Sequence, residues 1–198
     1  MPRARRKSPN IVRAVSPAER PLRALSEAAV EARLRAAGSA ADGVGGAHCI
    51  HELWMRGAMA ANIEAKLNDL WRQAAASVPE WLPMQHVEWL PLAYEVAGEF
   101  SAPRRGRHNI YLVLLDYRDS RPEPFGVYVG MTGYPPADRF DQHKAGIRAA
   151  GSVLRRGIEL LSGPVLHLQR IARADAADIE ERLAEALRLR GLFVRGGH

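Results

Sequence analysis

The stretch Asn109 to His143 reads N-I-Y-L-V-L-L-D (109–116), Y-R-D-S-R-P-E-P (117–124), F-G-V-Y-V-G-M-T-G-Y (125–134) and P-P-A-D-R-F-D-Q-H (135–143). Two apolar, β-rich runs, Ile110–Leu115 and Phe125–Val129, flank a segment 118–124 made of charge, Ser and Pro. Runs of this kind around such a segment predict an antiparallel hairpin with a longer loop. Gly130, Gly133 and Pro135-Pro136 close the second strand. A helix follows, with Pro136 in its first turn and Asp138 early in it, where a missing N–H and a negative charge are both tolerated. Strand, strand, helix brings Tyr111, Tyr128, Arg139 and His143 near one another.

These residues carry a resemblance. Asn109-Ile110-Tyr111 and Tyr128-Val129-Gly130, followed by Thr132, Arg139 and His143, are similar to the pattern of the GIY-YIG nuclease superfamily. The resemblance covers roughly residues 108–198. Asn109 stands where the family usually has Gly, and the hairpin loop is longer than usual. Membership would imply an α+β fold with a small three-stranded antiparallel sheet flanked by helices. It would also imply a metal-dependent endonuclease that hydrolyses phosphodiester bonds in DNA with Mg²⁺ or Mn²⁺.

The 198 residues suffice for one domain, or one with a small partner region. No apolar run of membrane-spanning length occurs, and the basic N-terminus lacks the apolar core of a secretory signal. The single Cys49 excludes an internal disulfide and a cysteine-cluster zinc site. A cytoplasmic protein with no membrane partner is expected. Charge is uneven: net +6 over residues 1–25, −5 over 26–100 and +5 over 101–198. Basic outer blocks suit a phosphate-bearing partner. Only three of the 28 basic residues are Lys, however, so a compositional bias toward Arg explains part of this.

The segment 1–15 reads as a disordered basic tail. Ser16-Pro17-Ala18-Glu19 reads as a capping box that opens a helix to about Ala37. Gly38–Gly46 has linker composition, and 47–77 reads as a long amphipathic helix with Gly57 marking a kink or a close contact. Residues 16–100 thus form a mainly helical, Trp-containing region, a candidate surface for a protein partner or self-association. Trp81 and Trp89 read as packing of these helices on the sheet, with base stacking as the alternative. Three soft ligands within four residues, His48-Cys49-Ile50-His51, cannot all face one ion from a helix. Leu90–Phe100 reads as a strand, with Pro91 confining it to a sheet edge or to the strand start.

Residues 101–198 form the nuclease-like domain. Arg104, Arg105 and Arg107, in the basic connector to the hairpin, and Lys144 are candidate nucleic-acid contacts. The helix begun at Pro136 is expected to run to about Ala150, with 153–161 a short helix or a loop. Pro164–Ile171 alternates like a third strand. Asp175 is read as capping a helix from Ala176 to Arg190 that Gly191 stops.

The resemblance places a metal-ligating Glu on this last helix, where Glu180, Glu181 and Glu185 compete. At about 100° per residue, Glu180 lies about 60° from Leu183 at the edge of the apolar stripe, while Glu181 and Glu185 point about 160° away. Glu180 is therefore the candidate ligand. The resemblance further implies Tyr111 as base or water-positioning phenol, Tyr128 as a bond to water or phosphate, and Arg139 as the phosphate clamp. His143, one turn after Arg139, is read as a proton relay or phosphate contact. Gly130 and Thr132 are structural neighbours, Gly130 as a bend where backbone passes close to substrate. The alternative is an inactive nucleic-acid-binding or protein-interaction module of the same fold.

Overall fold

The computed structural model describes residues 20–197. The basic tail and the Ser16–Glu19 capping box lie outside the described residues.

The hairpin forms as expected. Strands β1 (Asn109–Asp116) and β2 (Phe125–Thr132) pair antiparallel, Asn109 with Thr132 through Asp116 with Phe125. The sheet around them differs from the expected three antiparallel strands. Strand β3 (Gly157–Leu160) pairs antiparallel with Val113–Leu115, and β4 (Val194–Gly196) pairs parallel with Val127–Val129. The result is a four-stranded mixed sheet in the order β3-β1-β2-β4, within an α+β fold. The expected third strand over 164–171 is instead a 3₁₀ turn, Gly163–Val165, and a loop with one bridge from Ile171 to His108. Its alternation serves burial: Val165, Leu168 and Ile171 all point into the core.

Among the described residues, four α-helices precede the hairpin. Helix α1 (Glu27–Ser39) starts ten residues later than expected, where Ser26 Oγ accepts the Ala29 N–H. The glycine-rich segment is no flexible linker. Asp42 caps α2 (Gly43–Met55) by accepting the Gly45 N–H at 2.9 Å. A Cβ on Gly43 would meet the backbone of Ser77 and Val78 at 2.5 Å, and one on Gly46 would strike Leu70. These glycines let helices approach closely. The long helix expected over 47–77 is two, because Gly57 adopts φ +82°. Gly57 N–H donates to Trp54 O and Ala58 N–H to Leu53 O, a Schellman stop before α3 (Ala60–Ala74).

Leu90–Phe100, expected as a strand, holds helix α4 (Leu90–Gly98) with Pro91 in its first turn. Leu90, Ala93, Tyr94 and Ala97 are buried at helical spacing. After the hairpin, α5 (Pro136–Lys144) stops at Ala145 rather than Ala150, Gly146 taking φ +77°. The ambiguous stretch resolves into α6 (Gly151–Arg156) followed by β3. Helix α7 (Arg173–Leu189) begins before Asp175, which sits in its first turn instead of capping it.

Alternation along β1 divides two cores. Ile110, Leu112 and Leu114 join the larger, which runs continuously from the helical region to α7. Tyr111, Val113 and Leu115 join a smaller cluster with Tyr117, Tyr128 and Val153. Polar ties reinforce the first junction. Trp89 Nε1–H donates to Phe125 O at 3.3 Å, and Glu159 on β3 accepts the N–H groups of Met84 and Gln85 at 2.9 and 3.0 Å. Within the helical region the buried Glu52 carboxylate is held by Arg20 and Arg56, both at 2.7 Å.

Candidate functional site

The site grows from the hairpin register. Tyr111 lies directly opposite Gly130, and Tyr128 is two residues from Gly130 on the same face. Both rings therefore lean over the glycine, with centroids 5.9 Å apart. A Cβ on Gly130 would come within 2.6 Å of Tyr128 Cε1 and 2.7 Å of Tyr111 Cζ and Oη. The Tyr-x-Gly spacing thus creates the room in which two phenols sit side by side; Gly130 serves the rings, where a backbone bend was expected.

Behind Tyr111 stands His143, its Nε2 2.8 Å from the phenol oxygen. The Ala150 N–H donates to His143 Nδ1 at 2.9 Å. Burial holds the imidazole neutral, with its pKa down at about 4. With Nδ1 accepting, the ring's one proton is on Nε2 and is donated to Tyr111. His143 is buried, only 1% exposed, so it supports the phenol from behind and does not reach a phosphate at the surface.

Burial drives the Tyr111 pKa far above its ordinary value, reinforced by the neighbouring Tyr128 and opposed by Arg139. Tyr128 is also raised, chiefly by burial and further by the charge of Glu180. At neutral pH both are protonated phenols.

Arg139 lies one turn before His143 on α5. Its guanidinium donates to Gln142 Oε1 at 3.1 Å, Ile147 O at 3.3 Å and Arg148 O at 2.9 Å. It thereby ties down the loop that delivers the Ala150 N–H to His143. Its charge also acts on both tyrosines and the histidine.

Glu180 is half-buried on α7, whereas Glu181 and Glu185 are exposed, as the helical geometry predicts. Glu180 lies near enough for its charge to push the Tyr128 pKa up. Among the described residues, no group of three or more His, Cys, Asp or Glu side chains could hold a metal ion. A Mg²⁺ ion held by one carboxylate, waters and substrate phosphate needs no such group, and Glu180 fits that demand. The His48–His51 segment serves packing: the two imidazoles lie 4.9 and 5.8 Å from the Trp81 ring. Trp81 is itself buried, in keeping with a packing role among these helices.

The remaining candidates divide. Asn109 ties two loops to β1: its Nδ2 donates to Tyr134 O at 2.8 Å, and its Oδ1 accepts the Arg170 N–H at 2.9 Å. Thr132 Oγ1 accepts the Tyr134 N–H at 3.0 Å. Lys144 is occupied by the carbonyls of Leu154 and Gly157, at 3.3 and 2.9 Å, and Arg104 by Leu166 O at 3.2 Å. Arg105 and Arg107 are exposed.

Several neighbours escaped the sequence reading. Tyr134 is 55% exposed on a backbone fixed at both its N–H and its carbonyl. The signal for Ala150 and Gln169 was absent, because each acts through contacts distant in sequence.

Comparison of the chain with protein-family models, with curated proteins and with solved structures gives no match in any of the three. What can be said of function comes from the site itself. No helix among the described residues is long and apolar enough to cross a membrane.

Proposed function

We propose that this protein is a metal-dependent endonuclease of the GIY-YIG type, hydrolysing phosphodiester bonds in DNA with Mg²⁺ or Mn²⁺. The observation that carries the reading is the convergence of Tyr111, Tyr128, Arg139, His143 and Glu180 on one glycine-floored site. A hydrogen-bonded series from Ala150 through His143 to Tyr111 stands within it.

A divalent ion at Glu180 would supply charge for the scissile phosphate and the leaving oxygen. In this reading Tyr111 positions the attacking water, its orientation fixed by the His143 N–H. Acting as the base requires its phenolate; burial opposes that form, while Arg139 and the His143 donor favour it. Tyr128, beside Tyr111 and within reach of the Glu180 charge, directs its hydroxyl to water or phosphate oxygen in this reading. Arg139 contributes positive charge to the phosphate from a guanidinium already held by the loop carbonyls. Exposed Arg105 and Arg107 extend the basic surface toward the DNA backbone.

The test is incubation of wild type and Glu180→Ala with duplex, branched and single-stranded DNA in Mg²⁺ or Mn²⁺. Cleavage by the wild type and its loss in the variant are expected. A wild type that binds DNA but cuts none of these would replace this reading with the inactive binding module.

A further inference from the structure

Beside Tyr111 the molecule opens into a cleft of about 420 Å³. It follows the edge of β1 next to Ile110–Leu112, beyond the Val113–Leu115 segment that β3 covers. Its lining includes Pro79–Trp81 of the helical region together with Leu160 and Leu166. The exposed lining is mostly apolar, and the volume lies in the range of small-molecule sites. Tyr111 lines this cleft and is also a member of the phenol pair.

The polar groups on the rim have a defined character. Gln169 Nε2 donates to the carbonyls of Ile110 and Val165, both at 2.8 Å. Both amide hydrogens are thus used, leaving Oε1, an acceptor. Glu80 contributes a second acceptor and Ser162 a hydroxyl.

We propose that this cleft receives one unstacked nucleobase of the DNA substrate and favours a base with an exocyclic amino group. The inference rests on the nuclease reading and deepens it. An apolar slot matches a base's faces, and acceptors on the rim match an amino edge, which thymine lacks. It also gives the helical region a part in the site, through Pro79–Trp81.

The experiment uses the full chain in EDTA with oligonucleotides carrying 2-aminopurine at each position in turn. A separate dye reports binding by anisotropy. Emission is expected to rise several-fold at one position on binding. Ser162→Phe or Leu166→Phe, each filling the cleft, should abolish the rise while anisotropy still reports a complex. Thymine at that position should weaken binding about fivefold or more relative to adenine. Bound DNA with no brightening at any position, or brightening unchanged in both filled variants, overturns the inference. If Mg²⁺-dependent cleavage persists in that case, the nuclease reading survives alone. Absence of both binding and cleavage overturns the two together.

Discussion

Gly130→Ala is the sharpest test of how this site is built. The glycine does not have a positive φ, so an alanine there carries no intrinsic backbone strain. Its whole cost arises from the two rings above it. The new methyl carbon would lie 2.6 Å from Tyr128 Cε1 and 2.7 Å from Tyr111 Cζ and Oη. Ordinary contact begins near 3.4 Å, so each ring must retreat by about 0.7 Å or the strand must yield. Both tyrosines are buried, at 2% and 9% exposure, which leaves little room for retreat. Overpacking of this kind costs about 1–3 kcal/mol, or a drop in Tm of about 2–12 °C for a chain of this size. If Tyr111 moves away from His143, their 2.8 Å hydrogen bond is lost as well. Thermal and urea unfolding would measure the stability, and the imidazole resonances of His143 would report the bond. An alanine variant within about 0.5 kcal/mol of wild type, with His143 unshifted, would refute this account of the Tyr-x-Gly spacing.

Other expectations concern charge and protons. Removing the carboxylate charge by Glu180→Gln should lower the Tyr128 pKa, followed by NMR of ring-labelled tyrosine. Mg²⁺ should lower it in wild type and leave the variant unmoved; equal responses would remove Glu180 as the ligand. His143 has a folded pKa of about 4 against an ordinary 6.5. Its neutral form therefore adds stability that is complete above pH 6.5 and is lost as pH falls toward 4. His143→Gln should flatten that part of the stability curve, and an unchanged slope would contradict the burial argument. Arg139→Ala frees the carbonyls of Ile147 and Arg148, so amide exchange at Ala150 should quicken; retained protection would show that the loop holds itself.

Much of the hairpin and of the grouping of these side chains was legible because its determinants are local. The hairpin follows from two β-rich runs around a polar loop, and a strand's period of two places Tyr128 and Gly130 on one face. The half-burial of Glu180 beside exposed Glu181 and Glu185 needed only the helical period and a buried stripe. The α4 helix was also open to reading, since Leu90, Ala93, Tyr94 and Ala97 repeat at three and four residues. Alternation within W-L-P-L-A-Y obscured it.

Other features were settled by partners far along the chain. Residues 43–46, Gly-Val-Gly-Gly, have the composition of a linker, yet they open α2, where Ser77, Val78 and Leu70 stand in the space that a side chain at 43 or 46 would need. The sequence shows small residues; only packing shows what stands against them. Strand β3 has four residues, too few for a periodic signal, and pairs where the edge of β1 is available. The parallel β4 likewise depends on α7 returning the chain beside β2. The same holds for the chemistry. The sequence determined which residues carry phenol, imidazole, guanidinium and carboxylate, while tertiary structure set their protonation. Burial keeps Tyr111 protonated and His143 neutral, and a backbone N–H from Ala150 fixes the tautomer, because desolvation and hydrogen bonding exist only in the assembled fold.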